Sequence, residues 1–196
     1  MYTLYFKPHA CSLATHTILN LLDVPFQTVN KDTVSNYNDL NPTGLVPVVK
    51  DGERMVREGV AVILYILDRH KNNLLPESGE ARETALESML FANATMHPAY
   101  GRLFFISENV SDDNVKLDAL NAAAESINQL WQVVESRLGE APFLGGATMS
   151  PADILLTVYS RWGQFFPVDI VMGAKTTRMI EQVMAHDAFK TALAAQ

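Results

Sequence analysis

Cysteine is nearly absent from this chain, since Cys11 is the only one among 196 residues. A single cysteine cannot form an internal disulfide, which favours a reducing, cytoplasmic compartment. It also excludes zinc sites built from several cysteines, and the five histidines show no spacing typical of metal ligands. We therefore expect a protein without a bound metal.

Positive charge and long apolar runs are also scarce. The chain has 15 lysines and arginines against 22 acidic residues, and its net charge of -7 argues against nucleic-acid binding, which needs clustered positive charge. No apolar run approaches the roughly 20 residues that cross a bilayer. The first residues lack the basic start and apolar core of a signal peptide. We expect neither nucleic acid nor membrane as a partner.

A hydrophobic content of 48% is typical of a globular protein with a real core. The first 70 or so residues alternate apolar strands with amphipathic helices, and Asp51-Gly52 forms a tight turn between two of the strands. The predicted strands are 2–6, 26–30, 46–50 and 54–56. The predicted helices are 12–22 and 59–70, with a turn or short helix near 35–40. This order predicts a small α/β sheet layered with helices.

A polar segment with proline and glycine at 74–79 is typical of a linker, and no strand is predicted after it. The predicted helices there are 80–108 with a bend at Pro98, 113–138, 150–166, 175–184 and a short one after Asp187. The sequence therefore predicts an α/β domain over residues 1–76 and an all-helical domain over residues 80–196.

Cys11 lies between the first predicted strand and the helix that follows it. A helix N-terminus favours an anion, so a cysteine placed there can have a lowered pKa and act as a thiolate. The alternative is that Cys11 is a small buried hydrophobic residue. Position alone leaves both interpretations open.

Two further segments carry groups that suit a peptide-like ligand. A cis Val46–Pro47 bond would turn the Val46 backbone outward to pair with an extended ligand, whereas a trans proline at the start of a strand is the commoner arrangement. Gly59 at a helix start offers its N–H to a carboxylate, and Glu58 can accept from an ammonium group. The alternative for this pair is a solvated glutamate beside a glycine that reverses the chain.

Two patterns in the second half are interpreted first as structural. Residues 150–153 (SPAD) form a helix-capping pattern, with Ser150 as N-cap and Asp153 as its reciprocal partner. His97 accompanies several aromatic residues, and such residues belong to a core more often than to a site. These aromatic residues are Tyr100, Phe104, Trp162 and Phe165.

Four motifs in order resemble glutathione transferases, specifically the bacterial beta class. They are residues 7–13 (KPHACSL), 41–47 (NPTGLVP), 57–63 (REGVAVI), and 143–146 (FLGG) followed by 150–153 (SPAD). The resemblance covers nearly the whole chain. It implies a thioredoxin-like N-terminal domain that binds glutathione and a helical C-terminal domain that carries the pocket for the electrophile.

The resemblance also implies roles for particular residues. Cys11 would lie beside the glutathione sulfur, with the Ser12 hydroxyl and His97 as the other catalytic groups. The implied glutathione-binding residues are Val46, Pro47 with a cis bond, Glu58, Gly59 and, by a looser match, Lys31. The implied walls of the electrophile pocket are Tyr100, Phe104, Trp162 and Phe165. The chain departs from the beta class at Phe6, Leu90 and Pro98.

The resemblance predicts a cytoplasmic, homodimeric enzyme of detoxification that conjugates reduced glutathione to small hydrophobic electrophiles. Thiol–disulfide exchange through Cys11 is a further predicted reaction. The alternative is a non-catalytic binding or interaction protein on the same scaffold, because a fold does not fix a function.

Overall fold

A computed structural model describes all 196 residues and groups them into two compact units. Residues 1–75 and 184–196 form the first unit, and residues 76–183 form the second. All four strands belong to the first unit, and the second is built from helices. The predicted succession of an α/β part and an all-helical part is confirmed.

The sheet of the first unit has the strand order β2-β1-β3-β4. Its strands are β1 (Tyr2–Phe6), β2 (Phe26–Asn30), β3 (Val48–Asp51) and β4 (Arg54–Arg57). β1 runs parallel to β2, and β3 runs antiparallel to both β1 and β4. β3 begins two residues later than predicted, after Pro47, which has no N–H to donate to a neighbouring strand.

Three helices accompany this sheet: α1 (Ser12–Leu21), α2 (Tyr37–Leu40) and α3 (Gly59–Leu67). Alternate residues of β1 are buried, as a strand with one face on a core requires. Tyr2, Leu4 and Phe6 pack in one cluster with Leu19 of α1 and Ile66 of α3. This core fixes β1 under the two helices and so fixes the loop that leaves its end.

The helices of the remaining chain are α4 (Gly79–Leu90), α5 (His97–Asn109), α6 (Asp113–Leu138), α7 (Pro151–Ser160), α8 (Ala174–Ala185) and α9 (Asp187–Ala194). α7 ends earlier than predicted and is followed by a short 3₁₀ turn at Gly163–Phe165. A Cβ on Gly163 would lie 2.8 Å from Ile170, so the close packing of Ile170 leaves no room for a side chain at this position. No helix combines the length and the apolar character that crossing a bilayer requires.

A π-helical segment, Phe91–Met96, joins α4 to α5. The sequence predicts one long helix bent at Pro98, and the structure has a widened turn just before that proline instead. Pro98 has no N–H to donate, and its ring crowds the preceding turn. The wider π turn relieves that conflict, and it ends directly before His97.

The grouping of the C-terminal helix differs from the predicted domain assignment, which placed residues 184–196 in the helical domain. Here they group with the first unit, because α9 packs against α1. Phe189 and Ala192 of α9 are buried, and the Asn20 side-chain amide donates to the Ala188 carbonyl over 3.0 Å. The apolar side of a short tail helix is thus covered by α1.

The capping box at the start of α7 is present as predicted. The Asp153 carboxylate accepts from the Ser150 N–H and hydroxyl over 2.8 and 2.6 Å, and from the Leu144 N–H over 2.8 Å. Burial raises the pKa of the Asp153 carboxyl, and these donors counter the rise by favouring the carboxylate. The cap therefore ties the 144–150 loop to α7.

Replacing Ser150 with alanine is expected to lower the free energy of unfolding by about 0.5–2 kcal/mol, because the N-cap acceptor and one donor to buried Asp153 are lost. Denaturant titration measures the change. Ser136→Ala is the matched control, since Ser136 lies exposed within α6. Equal stability of the Ser150→Ala and Ser136→Ala variants would contradict the role given to the cap.

Candidate functional site

Four loops meet at one edge of the sheet because of the strand directions. β1 and β2 are parallel, so the loops that follow Phe6 and Asn30 leave at the same edge. β3 is antiparallel to β1 and begins at that edge, after Val46 and Pro47. β4 is antiparallel to β3 and ends there, before Glu58. The predicted site residues of the first domain are therefore brought together by the topology of the sheet.

Cys11 and Val46 are in direct contact at this edge. The Val46–Pro47 peptide bond is cis, as the resemblance implies. Cys11 is the N-cap residue of α1, and its Sγ donates to the Val46 carbonyl oxygen over 3.2 Å. The backbone of Val46 is thus presented to the cysteine side chain.

The ionisation of Cys11 bears on the two interpretations that its position in the sequence left open, a thiolate and a small buried residue. Burial raises the pKa of the Cys11 thiol to about 11, and the backbone N–H groups of Cys11 and Ser12 act in the opposite direction. The helix N-terminus is where the sequence predicts it, yet the cost of burying a thiolate exceeds the stabilisation by these donors. Cys11 is therefore a protonated thiol at neutral pH, and it acts as a hydrogen-bond donor.

The Ser12 hydroxyl also differs from its predicted role as a donor to a thiolate. Ser12 is completely buried, and its Oγ accepts from the Lys7 N–H over 3.3 Å and donates to the Lys7 carbonyl over 3.4 Å. Both hydrogen-bonding functions of the hydroxyl are thus used within the chain. Ser12 braces the loop between β1 and α1, and its N–H remains the group that faces the Cys11 sulfur.

Glu58 and Gly59 lie beside the Val46–Pro47 segment by strand register. Val48 pairs with Arg57, so one further step along each strand brings Pro47 opposite Glu58. Glu58 is exposed and has a φ of 70°, which is unusual for a residue with a side chain. Its carbonyl accepts from the Val62 N–H over 2.8 Å, and α3 begins at the next residue. The strained backbone is thereby held at the start of a helix.

Lys31 follows β2 and, with Asp32 and residues 34–39, lines an open cavity of about 510 Å³. Its Nζ is 3.0 Å from an Asp32 carboxylate oxygen and 5.6 Å from the centre of the Tyr37 ring. The Asp32 side chain is half exposed. An ion pair of this kind contributes little in water, so Lys31 can exchange its partner for a carboxylate of a ligand.

A set of side chains that the sequence does not single out braces these loops. Tyr37 Oη and Asn41 Nδ2 both donate to the Leu45 carbonyl, over 2.8 and 2.9 Å. The Arg57 guanidinium donates twice to the Leu40 carbonyl, over 2.8 and 2.5 Å. Their partners are backbone carbonyls, which every residue possesses, so no sequence pattern reveals these contacts. Only the Asn41-Pro42 turn signal pointed to one member.

His97 lies in an aromatic cluster of the second unit. Its ring stacks on Tyr159 with centroids 5.0 Å apart, and it is 5.1 Å from the Trp162 ring. Burial lowers the pKa of the His97 imidazole. The ring is therefore neutral at pH 7 and able to accept a proton.

The four predicted pocket residues divide into two kinds. Tyr100 and Trp162 are buried, and the Tyr100 oxygen accepts from the Trp131 indole N–H over 2.9 Å. Phe104 is half-buried and lies 6.4 Å from Phe165, which is 47% exposed. Phe104 and Phe165 thus offer accessible apolar surface, while Tyr100 supports the cluster from within.

Comparison with known proteins gives one consistent result, although no family model matches the chain. Glutathione S-transferase GST-4.5 of Xanthomonas campestris pv. campestris is 29% identical over 98% of both chains.

Solved structures agree with this. A glutathione S-transferase from Xylella fastidiosa superposes with a TM-score of 0.90 and 27% identity over 100% of this chain and 98% of that one. A bacterial beta-class glutathione S-transferase from Sphingomonas chungbukensis superposes with a TM-score of 0.85 and 26% sequence identity over 98% of both chains. A sphingomonad glutathione S-transferase complexed with glutathione superposes with a TM-score of 0.85 and 27% identity, also over 98% of both chains.

The rate of Cys11 alkylation by iodoacetamide is expected to rise about ten-fold per pH unit from pH 7 to 10, because only the thiolate reacts. The same chain in denaturant is the control, since its thiol has an ordinary pKa and reacts roughly a hundred-fold faster at pH 7. Mass spectrometry follows the reaction without ambiguity at the single cysteine. A plateau below pH 8 in the folded protein would mean a thiolate and contradict the raised pKa.

His97 is expected to make stability fall as the pH is lowered. Its pKa is lowered by folding, so the unfolded state binds the proton more readily, and stability is lost as pH falls below about 6.5. Denaturant titrations at pH 7.5 and 5.5 measure this loss in the wild type and in His97→Gln. The pKa of His16 is also lowered by burial, and this residue contributes to the pH dependence of both proteins. The loss should be smaller in the variant, and an equal loss would disprove the contribution of His97.

Proposed function

We propose that this chain, which is similar to glutathione transferases and to their bacterial beta class, conjugates reduced glutathione to small hydrophobic electrophiles. The observation that carries the proposal is the contact between the Cys11 thiol and the Val46 carbonyl, at the N-terminus of α1. This contact places a thiol, which can donate a hydrogen bond, next to a backbone segment that can pair with a peptide.

The groups at the sheet edge match the chemistry of glutathione, a peptide with one ammonium group, two carboxylates and a thiol. We assign the Val46 backbone to its cysteinyl part, beside the cis Pro47. Glu58 would accept from its ammonium group, and the Gly59 N–H at the start of α3 would donate to the neighbouring carboxylate. Lys31 would hold the carboxylate at the other end.

The proposed chemistry at sulfur follows from the protonated state of Cys11. A neutral thiol has one proton to donate, so Cys11 would exchange the Val46 carbonyl for the thiolate of glutathione when the ligand binds. The Cys11 and Ser12 N–H groups add positive potential at the same place. Each unit by which the pKa of glutathione is lowered needs about 1.4 kcal/mol of preference for its thiolate. Such a preference is within reach of a few charge-assisted hydrogen bonds.

The conjugation step forms a bond between the glutathione sulfur and an electrophilic carbon. The leaving group departs with its electron pair, and the thiol proton goes to solvent or to a base. His97, neutral at pH 7, is the proposed base. Phe104 and Phe165 are the proposed apolar surface for the electrophile, and the buried Trp162 packs behind Phe104.

The proposal includes a homodimer in the cytoplasm with a role in detoxification. The single free thiol is compatible with a reducing compartment. The helical unit exposes large apolar side chains such as Leu90 and Phe105, which an association of two copies would cover. Sedimentation of the purified protein measures the oligomeric state.

Thiol–disulfide exchange through Cys11 is the second candidate. Its support is the placement of the only cysteine at a helix start within this edge. The raised pKa works against it, because the attacking species in exchange is a thiolate. Conjugation is therefore the preferred assignment, and a non-catalytic binding protein is the alternative that an assay would reveal.

The experiment is calorimetric titration with reduced glutathione, followed by a turnover assay with chlorodinitrobenzene on the same sample. Binding with turnover is the expected result. Binding without turnover, together with a glutathione adduct after treatment with oxidised glutathione, would favour the exchange reaction. Absence of binding would overturn the proposal and favour the non-catalytic alternative.

Cys11→Ala is expected to lower kcat for conjugation by roughly ten- to a hundred-fold, because it removes a donor to the reacting thiolate. Cys11→Ser keeps a donor at that place and should retain much of the activity. Unfolding measurements on both variants establish that the fold is intact. Full activity of Cys11→Ala would refute the role of the thiol as a donor.

A further inference from the structure

Arg57 connects two loops that the pairing of the strands does not itself join. It is the last residue of β4, directly before Glu58 and Gly59. Its Nε and Nη2 both donate to the Leu40 carbonyl, over 2.8 and 2.5 Å. Leu40 is the last residue of α2, so its carbonyl has no partner within that helix. The guanidinium thus satisfies an end group of α2 from the neighbouring strand.

The loop from Leu40 to Leu45 is braced a second time, at its other end. The Leu45 carbonyl accepts from Tyr37 Oη over 2.8 Å and from Asn41 Nδ2 over 2.9 Å. Burial raises the pKa of Tyr37 to about 12, so its hydroxyl remains a donor at neutral pH. Arg57 and Tyr37 therefore hold the two ends of one loop, and Val46 is the next residue along the chain.

The conformation of Glu58 explains why such bracing matters. A residue with a side chain at a φ of 70° is strained, and the conformation persists only where its surroundings over-determine it. On one side Glu58 is fixed by the bond from Val62 to its carbonyl. On the other side it is fixed by Arg57, whose side chain is anchored on Leu40.

We propose that Arg57 is a positioning residue for glutathione, which sets the Glu58–Gly59 backbone against the Val46–Pro47 backbone through the Leu40 carbonyl. This inference rests on the proposed function, since those two segments are the ones assigned to the ligand. Arg57 is not among the residues assigned to the ligand or to the reacting atoms, and its guanidinium is bound to the Leu40 carbonyl. It acts by fixing the separation of the groups that do.

The geometry favours arginine specifically. A guanidinium presents two N–H groups to a single carbonyl, whereas a lysine ammonium is a point charge on a flexible stem. The substitution Arg57→Lys would keep the charge and one hydrogen bond but would lose the fixed fork. This conservative variant should therefore retain part of the affinity for glutathione. A requirement for charge alone would instead predict full affinity in Arg57→Lys.

The test compares Arg57→Met and Arg57→Lys with Arg54→Met as the matched control. Arg54 lies on the same strand, is exposed, and has its guanidinium carbon 4.8 Å from the centre of the Tyr65 ring. Calorimetry with reduced glutathione gives the dissociation constant, and steady-state rates with chlorodinitrobenzene give kcat and the two KM values. Thermal unfolding of each variant reports the stability.

We expect Arg57→Met to raise the dissociation constant and the KM for glutathione by roughly ten-fold or more. The KM for the electrophile and kcat at saturating glutathione should stay within about two-fold of the wild type. Arg57→Lys should fall between, and Arg54→Met should match the wild type. If Arg57→Met does not fold, the decision rests on Arg57→Lys, for which an unchanged dissociation constant overturns the inference.

Failure of the inference and failure of the proposed function give different results. If the wild type does not bind glutathione, the proposed function fails. If the wild type binds and Arg57→Met binds equally well, the proposed function stands and Arg57 has no positioning role. A loss in Arg57→Met that affects both KM values and kcat together would mean a general structural role, and it would also overturn the inference.

Discussion

The pairing of β3 with β1 on one side and β4 on the other is the constraint on which the candidate site depends. Because β3 runs against both neighbours, its beginning meets the ends of β1 and β4 at one edge. Groups far apart along the chain, from Cys11 to Gly59, are gathered there without a dedicated binding domain. A shift of β3 by one residue would exchange its buried and exposed faces and would also move Val46 away from Cys11. Core packing and site geometry are therefore fixed by the same register.

At Cys11 two opposing electrostatic effects meet, and the larger one decides the chemistry. A helix N-terminus stabilises an anion, yet removal of water from a thiolate costs more than the two N–H groups return. The thiol consequently stays protonated and donates to the Val46 carbonyl. The positive potential of these N–H groups remains available to the sulfur of a ligand. Burial of the cysteine therefore does not remove the capacity of the loop to stabilise a thiolate. The residue acts as a hydrogen-bond donor to Val46, whereas its position in the sequence left a thiolate and a small buried hydrophobic residue both open.

The sequence predicts most of the fold, because hydrophobic periodicity and capping are local signals. The ends of β1 and β2, the span of α6 and the capping box at Ser150 follow from residues close together in the chain. Contacts between residues far apart in the chain cannot be predicted from local signals. The return of α9 to α1, the occupation of the Ser12 hydroxyl by Lys7 and the contact of Arg57 with Leu40 all depend on which groups the folded backbone brings near. The burial that raises the pKa of Cys11 is also a property of the packed state and not of its neighbours in sequence.

The candidate site relies heavily on main-chain groups, and this affects how its specificity can vary. The Val46 backbone, the Gly59 N–H and the N–H groups at the start of α1 exist whatever side chains surround them. Recognition of the proposed peptide ligand would then depend on where the backbone lies, and side chains that only bind carbonyls would contribute to it by fixing the backbone. Arg57, Tyr37 and Asn41 are such residues, and none carries a catalytic signature in sequence. Leu90 and Pro98, two of the departures from the beta class, lie in α4 and α5, outside the loops that these three side chains brace.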